Sequence, residues 1–305
     1  MRGEAAVSDV SAGAPAAGWA HGDCGISKAA EHAAPAVRNG GRASAAPRAT
    51  LGRALRAEAL KFRHAAPLRL AVIMALPFPL LALAAALGNG GPVSFSPWNY
   101  WYALLMDVMI ALVTGCVANA DARLRNRALL GSGAPLGAAW WAKALYCLGL
   151  SLLANLIVFT LYAVAVVMTG GAGAAPPAAL ATMLAAALAV TATSAWMIPT
   201  GLFLTARLGL LAGIFVPLVV QLGCGFAWSL VPLPQLFPPT ATMVIPTAFI
   251  PVLPSGEPLA ADMTLGGALV ANDVLIVAGI AVGAAAFAVL TAAGEAWFAR
   301  SEEVR

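Results

Sequence analysis

The sequence predicts an all-α polytopic membrane protein: six transmembrane helices, an amphipathic interfacial helix ahead of them, and both termini cytosolic. Three observations predict it. Of the 305 residues, 61% are hydrophobic and only 10% charged, where a soluble domain carries about 25% charge; the mean hydropathy is +0.86. Six apolar runs are each long enough to cross about 30 Å of hydrocarbon at about 1.5 Å per residue. All 17 Lys and Arg fall on one side of the arrangement these runs define: ten up to Arg69, four between the second and third runs, then Arg207, Arg300 and Arg305. That is the bias that keeps positive loops in the cytoplasm. Topology therefore accounts for the pI near 9.1. The implied partner of that charge is a lipid bilayer, not nucleic acid.

Residues 1–48 are rich in Ala, Gly and Pro, without hydrophobic period and without an apolar core of signal-peptide length. They read as a disordered cytosolic tail, and residues 49–305 as one transmembrane domain. From Thr50 to His64 the period becomes helical, with Leu51, Leu55 and Phe62 on one stripe opposite Arg53, Arg56, Arg63 and His64. A basic amphipathic helix before a span is expected to lie on the inner leaflet. Glu58 falls in the middle of the apolar stripe, and two readings account for it: an i,i+3 pair with Lys61, or a contact to a basic residue of the stretch Ala120–Lys143.

The spans are placed at 68–87, 98–118, 144–168, 179–204, 208–230 and 266–292. Pro77 and Pro79 should bend the first, and Pro217 the fifth. Trp98, Trp101 and Trp228 at outer ends, with Trp140, Trp141 and Trp297 at inner ends, are expected as aromatic belts. Trp196, deep in the fourth span, reads as packing against a neighbouring helix.

Between the second and third spans, Ala120–Lys143 is the longest polar interruption of the apolar blocks, with Arg123, Arg125, Arg127 and Lys143 inside it. Each charge would cost about 2.5–3.5 kcal/mol at a helix centre, so the stretch belongs beyond the cytoplasmic face. Leu129-Leu130 offers an apolar knob. Gly131-Ser-Gly-Ala-Pro135 reads as a turn, since Pro135 restricts Ala134 to extended backbone. The outside segment 231–265 carries eight prolines among apolar residues. Too broken to span and too apolar for water, it is expected to form a membrane-resting or re-entrant cap of short helices between prolines.

Motifs for chemistry are missing. There is no Gly-x4-Gly-Lys-Ser/Thr, no His-Glu-x-x-His and no Gly-x-Ser-x-Gly, so the chain is expected neither to hydrolyse ATP nor to act as an enzyme. His21, His32 and His64 lie outside the spans, and the four cysteines have neither metal nor disulfide spacing. No catalytic, cofactor-binding or metal-ligating residue is therefore expected. Two acids, Asp107 and Asp273, fall within spans, where an ionisable side chain is a functional candidate. No basic residue in a span can pair with them. Asp107 reads as protonated, or as bonded to Asn155 or Gln221 on other helices; these three residues mark a candidate substrate path. Gly209-x-x-x-Gly213 and Gly279-x-x-x-Gly283 match the close-packing motif, a weak signal in a chain with 30 glycines.

Four features occur together: Leu55-Arg-Ala-Glu58-Ala-Leu-Lys61 before the first span, Trp98-Asn-Tyr-Trp101-Tyr at the start of the second, a basic loop closing on Trp141-Ala-Lys143, and a capped segment ahead of the last span. Over about residues 50–300 the arrangement resembles the permease subunits of ABC-2 type exporters, most closely those of lantibiotic-immunity transporters. The resemblance implies that the basic loop is a coupling helix. Arg123, Arg125, Arg127, Leu129, Leu130 and Pro135 would then dock on a separate ATP-binding subunit, with Glu58 and Lys61 resting against that contact. It also implies a second permease subunit (the same chain or a sibling), a bacterial cytoplasmic membrane, no cofactor in this chain, and export of an amphiphilic antimicrobial peptide as self-protection. Two other classes stand beside it. A proton-coupled secondary transporter would use Asp107 and need no partner. An integral membrane enzyme acting on lipids would need a cluster of His, Asp, Ser or Glu at one membrane face, which the sequence lacks.

Overall fold

A computed structural model of the chain describes residues 50–122, 136–169, 177–258 and 273–303. The expected tail 1–48, the docking residues Arg123, Arg125, Arg127, Leu129, Leu130 and Pro135, the end of the cap and the first residues of the sixth predicted span lie outside them. Among the described residues the chain is helical and has no strand. Helix α1 is Leu51–Lys61, α2 Ala66–Ala75 and α3 Pro77–Asn89. A short α4, Ser96–Tyr100, passes through a π-helical turn, Trp101–Leu105, into α5, Met106–Ala122. Then come α6 Leu136–Thr169, α7 Pro177–Ser194, α8 Met197–Leu208, α9 Leu210–Phe226, α10 Pro238–Val244 and α11 Asp273–Glu303.

Five helical segments are long and apolar enough to cross a membrane: Ala66–Asn89, Ser96–Ala120, Leu136–Thr169, Ala179–Leu208 and Asp273–Arg300. The chain is thus a mostly helical, multi-pass membrane protein. The shorter α9 covers the centre of the fifth predicted span. Its 17 residues reach about 25 Å, against the 23 residues expected. It starts late because Gly209, at φ 100°, turns the chain from α8 straight into α9 in a conformation that disfavours other residues. Gly213, one turn on, sits where a Cβ would lie 2.8 Å from the Gly201 carbonyl, so the two helices of this hairpin approach closely.

Prolines break the helices where their missing N–H dictates. The first span parts at Leu76, with Pro77 opening α3. The fourth parts at Ala195–Trp196, ahead of Pro199. Pro217 is carried inside a continuous α9. A 3-10 turn at Trp228–Leu230 ends the fifth predicted span, and the described part of the cap is, as its proline spacing suggests, a chain of short pieces: 3-10 turns at Pro234–Leu236 and Ile245–Ala248, with α10 between.

The second and fourth spanning segments form the centre, with 56% and 61% of their apolar windows buried, against 28% for the first and last. Helix α5 packs on α2, α6, α8 and α9. Outward faces of the other helices present Ile73, Leu81, Val219, Val277 and Val289, the broad apolar exposure that marks a membrane surface. Helix α11 crosses α7 at Gly283, where a Cβ would lie 2.8 Å from both the Ala192 carbonyl and Thr193 Cα. The expected aromatic belts need correction. Trp98, Trp101 and Trp140 are almost wholly buried in the bundle, because their rings fill the core and the indole N–H groups of Trp101 and Trp140 find partners inside it.

Candidate functional site

The described candidate residues gather in two polar groupings of the apolar bundle. The first lies at the end shared by α1, the start of α6 and the end of α11. Within α1 only Glu58 is buried, while Leu51 is exposed, and Phe62 just beyond the helix stacks on Tyr146 of α6 at 5.5 Å between ring centroids. The acid that looked misplaced in the apolar stripe faces Lys143 of α6, Nζ to Oε1 3.2 Å, with both side chains 8% exposed. Lys61 approaches the other carboxylate oxygen at 3.7 Å. Glu58 therefore makes both contacts that its position raised. The Lys61 contact is half-solvated and worth a few tenths of a kcal/mol. The Lys143 contact is dry, and removing one partner would strand a buried charge at a cost of about 3–5 kcal/mol.

Lys143 is in place because α6 starts earlier than the third predicted span. The helix begins by Leu136, eight residues before Ala144, so its 34 residues run about 50 Å and outreach the hydrocarbon. Nothing after Pro135 breaks it, and Glu58 neutralises the lysine that set the predicted boundary. The same first turns of α6 are held on the opposite flank by α11. Trp141 Nε1 donates to Glu295 at 2.6 Å, and Trp140 Nε1 donates to the Thr291 carbonyl at 3.0 Å. The Trp140 ring packs over Gly294 and stacks on Phe298 at 5.6 Å. The Glu295 side chain lies over Gly137, which has no Cβ to obstruct it. The start of α6 is thus latched to both α1 and α11, immediately after the basic stretch.

The second grouping lies within the bundle, towards the end that carries the cap. Asp107 on α5 lies within hydrogen-bonding reach of the Gln221 side chain on α9. Gln221 also accepts from Trp196 Nε1 at 3.0 Å and donates to the Pro239 carbonyl at 3.3 Å. A neighbouring network joins Trp101 Nε1 to Asn155 Oδ1 at 2.9 Å, and Asn155 Nδ2 to Thr191 Oγ1 at 3.0 Å. The structure therefore brings Asp107 and Gln221 together and gives Asn155 other partners. All three are 1% exposed, sealed among helices instead of lining an open passage. Asp107 Oδ1 is buried without a hydrogen-bond partner. Trp101 sits in the π-helical turn just before Asp107, a distortion that recurs at functional sites. The indole partners of Asn155 and Gln221 escaped sequence reasoning, because hydropathy does not say which face of a span meets protein.

Among the described residues no three His, Cys, Asp or Glu side chains gather to hold a metal ion, and Cys116, Cys147 and Cys224 are free thiols. Asp273 opens α11 at its exposed first residue, away from Asp107. Compared with protein-family models, with curated proteins and with solved structures, the chain matches none of them.

Proposed function

We propose that the chain is the membrane-spanning permease subunit of an ATP-driven exporter of the ABC-2 type, seated in a bacterial cytoplasmic membrane. It works with a separate ATP-binding subunit and a second permease, the same chain or a sibling. The six apolar helices are read as six crossings, with α1, the basic stretch and the start of α6 on the cytoplasmic face. The substrate is read as an amphiphilic antimicrobial peptide expelled in self-protection.

The observation that carries this reading is the latch around α6. A push on the stretch between α5 and α6 reaches the start of α6 first. Because Glu58 binds Lys143 and Glu295 binds Trp141, the ends of three helices then move as one body. A two-state rearrangement of packed helices needs such rigid linkage, all the more in a chain that has no ATP-binding motif and must receive its work from outside. The test is reconstitution. The chain and its copurifying partner, in proteoliposomes, should move a cationic amphiphilic peptide on ATP addition and not on a pH gradient.

A second reading has one observation in its favour. Asp107, buried with an unpartnered oxygen, is where a proton-coupled transporter would carry its proton. Peptide movement by the chain alone, driven by a pH gradient without ATP, would establish that reading and displace the first.

A further inference from the structure

At the cap end, a partly open cavity of about 320 Å³ lies between the end of α6, the start of α7, the segment before α4 and Phe249–Pro251 of the cap. It is about twice the volume of an engineered apolar cavity that takes up benzene, and falls within the range of small-molecule pockets. Phe95, Val166, Met183 and Phe249 supply walls from all four segments, and none of the eleven lining residues is charged. Only Thr169 and Thr182 bring side-chain polar atoms. Thr169 donates to the Ala165 carbonyl at 2.8 Å and Thr182 to the Ala179 carbonyl at 2.9 Å. Both hydroxyl protons are thus committed to their own helices. The two hydroxyl oxygens can still accept, but no lining side chain has a proton left to donate, so a polar group with acceptor atoms would give up water there at a cost of about 1–3 kcal/mol. The walls accept hydrocarbon.

On the same turn of α6 as Val166, Val167 and Met168 are each 59% exposed, so apolar surface continues from the lipid-facing side to the cavity wall. A chain dissolved in the bilayer reaches the cavity without crossing water. We propose that this cavity binds a single alkyl chain, inserted from the membrane beside the Val167–Met168 face. Its occupancy needs no ATP-binding partner, so an empty cavity and a failed exporter assay are separate results.

The test uses the full chain, purified in detergent–lipid micelles, and two photoreactive probes: dodecanol ending in a diazirine, and phosphatidylcholine with a diazirine in one acyl chain. Labelled peptides are mapped by mass spectrometry, with lipid-facing Val219 and Leu211 on α9 as the reference. Labelling at Val166, Met183 or Phe249 should saturate with probe concentration and vanish under excess unlabelled dodecanol, while labelling at Val219 rises linearly. Ala179→Trp fills the space of at least two methylenes, so saturable labelling should drop about tenfold, with Val219 unchanged. Saturable labelling by the phospholipid probe assigns the site to a membrane lipid; by dodecanol alone, to free single-chain amphiphiles. Linear, uncompeted labelling of the lining residues by both probes would overturn the proposal, whatever the Ala179→Trp chain does.

Discussion

Glu58 of α1 and Lys143 of α6 form an ion pair, 3.2 Å between Oε1 and Nζ, withdrawn from solvent 85 residues apart in the chain. Helix α1 is thereby pinned to a helix long enough to cross a membrane by charge as well as by the Phe62–Tyr146 stack. Glu58→Gln should remove the buried carboxylate that faces Lys143 and lower stability by about 3–5 kcal/mol, read as a fall in unfolding temperature in detergent. Lys61→Ala should cost less than about 1 kcal/mol. The double exchange Glu58→Lys with Lys143→Glu should recover part of the loss, held back by repulsion between the new lysine and Lys61. Equal effects of Lys61→Ala and Glu58→Gln would mean that the buried pair is not what holds α1.

The latch also shows what the sequence could and could not disclose. An acid in an apolar stripe is legible as an anomaly, because amphipathic period predicts which face is buried. Its partner was legible only as one of the four basic residues of Ala120–Lys143, and it is Lys143 because α6 already begins by Leu136. Hydropathy located the apolar blocks and the prolines located the breaks at Leu76 and in the cap. Neither separates lipid-facing from protein-facing positions. That is why Trp98, Trp101 and Trp140 read as belt residues and are core residues, and why Asn155 could be paired with Asp107 on paper while bonding Trp101 in space. The glycine spacings were too common to trust in sequence. The close approaches in space mark Gly213, Gly279 and Gly283 as packing positions.

The crossing of α11 and α7 at Gly283 gives the second prediction. Gly283→Leu places carbon against the backbone of Ala192 and Thr193, which cannot step aside, and should destabilise the bundle by about 1–3 kcal/mol. Gly149→Ala is the control, because nothing lies within 4 Å of its added Cβ. Indistinguishable unfolding temperatures for the two variants would show that α11 does not cross α7 at this point.

Asp107→Asn separates two mechanisms. The amide keeps the size of the carboxyl and can still bond Gln221, but cannot carry a proton. If the chain works as an ATP-driven permease, peptide export by Asp107→Asn should stay within about twofold of the unaltered rate, a change of less than 0.5 kcal/mol. Gln221→Leu, which orphans Trp196 Nε1 as well, should lower folded yield. Export abolished in Asp107→Asn with normal folding would favour proton coupling.

Sidedness is checked by labelling. In a background without cysteine, Ser94→Cys and Ser255→Cys, both at exposed positions, should react in intact cells with an impermeant thiol reagent. Ser132→Cys should react only after the membrane is opened. Labelling of Ser132→Cys in sealed cells would invert the arrangement and place the basic stretch outside.

The central claim is that a separate ATP-binding subunit docks on the stretch between α5 and α6, and retention of that subunit through purification tests it most directly. Docking surfaces hold by shape and a few desolvated contacts, so the apolar pair Leu129 and Leu130 should matter more than the arginines before it. Replacing both leucines with Asp would bury charge against the partner at a cost of several kcal/mol. Leu129→Asp with Leu130→Asp should insert normally yet lose its ATP-binding subunit in detergent, while Arg125→Ala should keep it. A double Asp variant that still copurifies with a working ATPase would contradict the account.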